Sequence, residues 1–192
     1  DGSQWGVKLT YLIQRKPEGI GQAYLIAEKF LKNQSSMMVL GDNIFYGNGL
    51  ANILNSVTKK KSPTVFGYKV SDPTRYGVIT FKQKKVIEII EKPEKPKSNF
   101  AVTGLYFLDN KAPIYAKKIK KSSRGELEIA DILNMYINKN KLVTKLLGRG
   151  FAWLDMGTIE SLHSASNFVR TIQTRQGSLV GSPEEVSVIN KW

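Results

Sequence analysis

The 192-residue sequence has no cysteine. That excludes disulfides, thiolate metal sites and a cysteine nucleophile. It has one histidine, His163, inside a segment of helical periodicity, so it reads as structural or solvated. Histidine-based triads and metal centres are therefore not expected. No apolar run approaches the ~20 residues needed to span a bilayer, and no secretory signal opens the chain; a cytoplasmic address is expected. Internal repeats, low-complexity tracts and linkers are also missing. Pro93-Glu94-Lys95-Pro96-Lys97 is a stiff polar loop too short to divide domains, so residues 1–192 read as a single domain.

Hydrophobic residues make up 41% and charged residues 23%, a balance that fits a globular chain with a sizeable core. The formal net charge is +13, which favours an anionic partner. The lysines, however, are spread through amphipathic segments such as Lys59-Lys60-Lys61 and Lys117-Lys118, the usual pattern of a solvated face. No recognition helix, zinc finger or aromatic RNA-binding signature accompanies them. Nucleic acid is the runner-up partner.

Period-2 and period-3.6 patterns alternate along the chain. Strands are predicted at Lys8–Ile13, Met37–Leu40, Thr64–Val70, Gly77–Phe81, Val86–Glu91, Phe100–Leu108, Leu142–Leu147 and Trp153–Leu154. Gly77–Phe81 and Val86–Glu91 should form a hairpin around Gln83-Lys84. Helices are predicted after Gly19, at Leu50–Lys60, near Ala112–Lys120, after Gly125-Glu126 and at Ile159–Gln176. The chain stops just after an alternation, Val186-Ser187-Val188-Ile189. Strands alternating with helices predict an α/β fold with a mixed, mainly parallel sheet and helices on its faces.

Four clusters sit at predicted strand ends, where open α/β sheets bind ligands. Asp42 follows Met37–Leu40; it could hold Mg²⁺, a hard ion bound by one or two carboxylates plus substrate phosphates, or merely cap a turn. Arg75-Tyr76-Gly77 precedes a strand, the glycine allowing close backbone approach. Glu91-Lys92-Pro93 offers an acceptor, a cation and a rigid exit, suited to a sugar hydroxyl beside a phosphate. Leu154-Asp155-Met156-Gly157-Thr158 repeats the strand-then-carboxylate pattern. Asp42 and Asp155 could clamp one Mg²⁺ from opposite sides of a crevice. Gly47-Asn48-Gly49 is not a dinucleotide fingerprint, because Asn52 stands where its third glycine belongs; it reads as a turn before a helix.

Taken in order, these words resemble the sugar-1-phosphate nucleotidylyltransferases. The matching segments are Asp1–Gly6, Pro17–Ala23, Leu40–Gly47, Asp72–Val78, Glu91-Lys92-Pro93, Lys97-Ser98-Asn99, Val102–Tyr106, Arg124–Ile129 and Gly148–Thr158. Gly41-Asp42-Asn43-Ile44-Phe45-Tyr46-Gly47 resembles the thymidylyl branch more than the uridylyl one. The resemblance implies a Rossmann-like nucleotidyltransferase three-layer sandwich and the reaction of dTTP with glucose 1-phosphate to give dTDP-glucose and pyrophosphate, serving deoxysugar (dTDP-rhamnose type) synthesis. It further implies that Gln14 and Gly19 contact thymine and that Asp42 and Asp155 bind Mg²⁺. Tyr76, Gly77, Glu91 and Gly104 would line the glucose site, and Lys92 and Arg124 would hold the sugar phosphate. Arg149 would belong to a regulatory nucleotide-sugar site near subunit contacts of a homo-oligomer, a tetramer or dimer.

Family members open with a strand and a Gly-rich loop that wraps the triphosphate. Nothing in this sequence matches that loop, and the family's C-terminal helices continue past the position of Trp192. The expectation is a fold incomplete at its N-terminus, with weak or no turnover by this chain alone. A sugar-phosphate-binding remnant without catalysis is the alternative.

Overall fold

The computed structural model describes residues 2–190, with the backbone alone for 189 and 190. Asp1 of the first matching segment and the Lys191-Trp192 end lie outside the described residues. Nine-residue alternation in Phe100–Leu108 places Val102, Tyr106 and Leu108 in one apolar cluster and Leu105 and Phe107 in another. That is the period-2 signature of a strand buried on both faces. This strand, β6, organises the main sheet. It runs antiparallel to β3 (Thr64–Lys69) on one side and, on the other, to β4 (Gly77–Lys82) and β1 (Ser36–Val39). β5 (Lys85–Glu91) pairs with β4, and β7 (Val143–Leu147) pairs with β3.

The sheet is mixed, as expected, but not mainly parallel in its pairing. Among the described residues, only β3 with β7 forms a parallel ladder. β1, β3, β4 and β7 do share one direction; the antiparallel β6 lies between them, so its neighbours meet it rather than one another. Helices cover both faces, giving three layers. On one side α1 (Gln22–Ile26), α4 (Ala112–Ala116) and α5 (Ile129–Asn138) supply Tyr24, Tyr115, Ile132, Leu133 and Tyr136 to the larger cluster. On the other, α3 (Leu50–Lys60) buries Val57 against Phe66, Leu105 and Phe107.

One predicted strand fails for a physical reason, and two segments given no element take one. Lys8–Ile13 forms no strand among the described residues: it has no ladder partner, and Tyr11 and Ile13 are each 81% exposed. β-propensity without a neighbour to accept its hydrogen bonds does not make a strand. Asn43–Gly47, for which no element is predicted, forms strand β2, paired in a separate ribbon with β8 (Phe151–Asp155). The Val186–Ile189 alternation lies inside a helix, α7 (Pro183–Asn190), with proline in its first turn. The hairpin turn is where it was predicted, Gln83 and Lys84 both having positive φ (48° and 67°). The long helix α6 (Ile159–Gln176) starts at a capping box made by Thr158 and Ser161 and stops at Gly177, as such sequences do.

Candidate active site

The β2–β8 ribbon sets Asn43 opposite Asp155, and Met156 N–H donates to the Asp42 carbonyl at 2.8 Å. Asp42 and Asp155 are thus neighbours on one wall, not partners facing each other across a crevice as expected. Asn43 holds this wall to the main sheet. Its Oδ1 accepts from the Trp153 indole N–H at 2.6 Å and from the Gly104 N–H at 3.1 Å, while its Nδ2 donates to Asp42 Oδ1 at 2.7 Å. Gly104 is required here by close approach: a Cβ on it would lie 2.5 Å from Asn43 Oδ1.

The β4–β5 hairpin forms the second wall. Its register puts Gly77 opposite Glu91, and Lys92 N–H donates to the Tyr76 carbonyl at 3.0 Å, closing the hairpin's open end. Lys92 itself turns there with φ +42°. Ahead of β4, Asp72 accepts from the Thr74 N–H at 3.1 Å and the Thr74 hydroxyl at 2.6 Å, a turn that fixes the loop leading to Arg75. The Tyr76 ring lies against Trp153, centroids 5.0 Å apart, and its hydroxyl donates to Asp155 Oδ2 at 3.1 Å. Partial burial and the adjacent Asp155 raise the Tyr76 phenol above its ordinary pKa.

Glu91 is a half-buried carboxylate. Burial first, then the Glu128 carboxylate, push it above the usual range, against the opposing pull of Lys92 and Arg124. Arg124 stands on the turn between α4 and α5, where Gly125 adopts φ +77°. Its guanidinium reaches Glu126 at 2.9 Å and lies 3.8 Å from both Glu91 and Glu128. Ser122 adds a 2.6 Å hydrogen bond to Glu128.

Between the two walls lies a cleft of about 580 Å³, floored by Tyr106, Ile129 and Leu133. It brings together Asp42, Asp155, Tyr76, Gly77, Glu91, Lys92 and Gly104. Arg124 does not line it but contacts it through Glu91. Gln14 and Gly19 sit together outside it, the Gln14 amide donating to the Gly19 carbonyl at 3.3 Å. Gly19 (φ +95°) fits tightly against Leu127, whose carbonyl would be 2.6 Å from an added Cβ. Arg149 is exposed in the turn between β7 and β8, at the far end of the ribbon from Asp155. Three residues gain roles not assigned from sequence: Asn43 as organiser, Trp153 as its donor, and Arg75, whose Nη2 lies 3.2 Å from Asp155 Oδ2. The Arg75-Tyr76-Gly77 cluster was visible; which acceptor the arginine meets depends on the distant β8.

The donor set fits a hard divalent cation. Asp42 and Asp155 both offer carboxylate oxygens to the cleft, and Asp155 already attracts a cation, the Arg75 guanidinium. No group of three or more potential metal ligands occurs among the described residues, so other ligands would come from phosphate and water, the habit of Mg²⁺. None of the described helices is long and apolar enough to cross a membrane.

A carboxylate pair and a lysine thus meet at the strand ends of a three-layer α/β sandwich, the place where such folds bind ligands. The chain belongs to the nucleotidyl transferase family, whose model matches residues 1–172. It is 54% identical, over its whole length, to glucose-1-phosphate thymidylyltransferase of Xanthomonas campestris pv. campestris, covering 66% of that protein. It is 48% identical to the Neisseria gonorrhoeae enzyme of the same name, covering 67%. The chain therefore spans about two thirds of the length of the curated relatives it matches. Among solved structures, it is similar to a Bacillus anthracis protein assigned to the glucose-1-phosphate thymidylyltransferases and solved with sucrose: TM-score 0.77, 40% identity, covering 88% of this chain and 68% of that one. UDP-glucose pyrophosphorylase with bound UDP-glucose (TM-score 0.76, 23% identity, 84% and 66% covered) shares the fold.

Proposed function

We propose that this chain carries the sugar-phosphate and metal half of a glucose-1-phosphate thymidylyltransferase, which makes dTDP-glucose and pyrophosphate from dTTP and glucose 1-phosphate for deoxysugar nucleotide synthesis. The observation that carries this reading is the convergence of Asp42, Asp155, Glu91 and Lys92 on one cleft in a chain so similar to enzymes of that name. Glucose 1-phosphate is already an anionic nucleophile, so no general base is needed, which suits a cleft without histidine. Its phosphate oxygen would attack the α-phosphorus of dTTP in line; the new P–O bond forms as the α–β bridge breaks and pyrophosphate leaves. The protein's task is to position and neutralise two polyanions. Lys92, turned into the cleft mouth, would offset the sugar phosphate charge, with Arg124 swinging from Glu126 to assist. Glu91 and the Gly77 backbone would bind sugar hydroxyls. Asp42 and Asp155 would hold Mg²⁺, which when bound supplies charge neutralisation at the phosphate oxygens.

The reading extends to weak turnover by the 192 residues alone, which span only two thirds of the relatives' length, and to Arg149 serving a second nucleotide-sugar site in an oligomer. Calorimetry tests it. The chain should bind dTDP-glucose and glucose 1-phosphate, and Lys92→Ala should weaken glucose 1-phosphate by about 10-fold or more, the loss of one charge-assisted contact. Equal affinity of Lys92→Ala and the parent chain would remove Lys92 from the site. No binding of either ligand to the parent would overturn the assignment.

A further inference from the structure

Asp155 is unusually well supplied with donors for a proposed metal ligand. Its Oδ1 accepts the Gly157 N–H at 2.9 Å. Its Oδ2 accepts both the Tyr76 hydroxyl at 3.1 Å and the Arg75 guanidinium at 3.2 Å. The side chain of Asp155 is 16% exposed and that of Arg75 43%, so the arginine reaches inward from the rim to a carboxylate that is mostly covered. Asp155 is the one carboxylate within ion-pair distance of Arg75 among the described residues. The loop carrying Arg75 is held at both ends, by the Asp72–Thr74 turn on one side and by Tyr76 N–H donating to the Pro73 carbonyl at 3.1 Å on the other. The held loop thus keeps the base of the Arg75 side chain within reach of Asp155.

Mg²⁺ sits about 2.0–2.1 Å from its oxygen ligands. A guanidinium already on the same oxygen would face it as a like charge at close range, in a partly covered site where screening is weak. With the Tyr76 hydroxyl and the guanidinium both on Oδ2, that oxygen has no lone pair left for a metal, and a metal on Oδ1 would still face the guanidinium across one carboxylate. We infer that Arg75 is a resident counter-ion of Asp155 that a divalent cation must displace, and that the released guanidinium then binds the phosphate oxygens entering the same cleft. This rests on the proposed role of Asp42 and Asp155 as metal ligands. Its consequence is a coupling: the cation binds poorly by itself and well together with a polyphosphate, because the anion gives the displaced arginine a new partner. Such linkage is reciprocal. Charge in the cleft stays compensated in both states, by Arg75 before loading and by the metal afterwards.

The test is Mn²⁺ binding to this chain, read by electron paramagnetic resonance of the free ion, with and without inorganic pyrophosphate. Arg75→Gln should tighten Mn²⁺ binding without anion by a factor in the range of about 5- to 150-fold, the ordinary span of coupling between sites. The same substitution should weaken pyrophosphate binding to the Mn²⁺-loaded chain, so its effects on cation and anion have opposite signs. Equal or weaker Mn²⁺ binding by Arg75→Gln, with the parent binding measurably, overturns the inference while leaving the metal site intact. If neither the parent nor Arg75→Gln binds Mn²⁺, the metal reading itself fails and takes the inference with it. Should Arg75→Gln not fold, the parent decides: the Arg75 Nε–H signal in nitrogen-15 NMR should move on Mg²⁺ addition and move again with pyrophosphate. A signal unmoved through metal saturation refutes displacement.

Discussion

Replacing Gly104 with alanine should damage the carboxylate wall without touching a carboxylate. The backbone of Gly104 is not in the left-handed region, so alanine is acceptable on φ alone; the conflict is contact. The new methyl would lie 2.5 Å from Asn43 Oδ1 and 2.7 Å from its Cγ, and Asn43 must turn away. It then releases the Gly104 N–H and the indole N–H of Trp153, a residue only 8% exposed. Each net hydrogen bond is worth about 0.5–1.5 kcal/mol, and a buried donor left without an acceptor costs about 1–3 kcal/mol. A destabilisation of about 2–4 kcal/mol follows, most of it from the orphaned indole. Urea unfolding should show a midpoint lowered by about 1–2 M at unchanged slope. The decisive comparison is a double-mutant cycle with Asn43→Ala, which removes the obstructing amide. In that background Gly104→Ala should cost less than about 1 kcal/mol, giving a coupling energy within the range seen for contacting residues. If Gly104→Ala costs the same with and without Asn43, the reasoning is wrong.

Two further outcomes follow from the second wall, the β4–β5 hairpin. Burial and Glu128 raise the Glu91 pKa above 4.5, so the folded state resists its ionisation. The stability linked to its neutral form is whole below about pH 4.5 and is lost as pH rises through the folded value. Glu91→Gln should therefore raise the urea midpoint at pH 7 and leave it unchanged near pH 4; a gain of equal size at both would refute the assignment. In the β4–β5 turn, Gln83 and Lys84 occupy left-handed conformations that Asn-Gly adopts with less strain. Gln83→Asn with Lys84→Gly should stabilise by about 1 kcal/mol, seen as a melting temperature raised by about 2–4 °C; no rise would mean the turn relaxes.

What was readable beforehand was what is local. The helix Leu50–Lys60, the strand Phe100–Leu108 and the helix Ile159–Gln176 were placed to the residue, because each buries a face by its own periodicity and the last is bounded by its own cap and stop. Strand β2 was missed because Asn43–Gly47 is short, begins beside Gly41-Asp42 and owes its strand state to β8, more than a hundred residues on. Lys8–Ile13 erred in the opposite direction: its pattern is a strand's, but pairing is not a property of one segment. The carboxylates Asp42 and Asp155 could be proposed from type and position, yet their adjacency is a fact of register. Arg75 could be noticed, while its claim on Asp155 required the ribbon to exist.

The cleft is a seam between two sheets that are hydrogen-bonded internally but not to each other as strands. Side chains do the joining: Asn43 to Gly104, Tyr76 to Asp155, and the Tyr68 hydroxyl to the Phe151 carbonyl at 3.0 Å. The hairpin wall and the ribbon wall therefore answer to different parts of the chain. A designer could recut the pocket floor at Ala130 or Leu133 and leave every bond of the ribbon in place. Conversely, altering the side chains that fasten the seam would change how the walls meet while leaving the ladder inside each sheet intact.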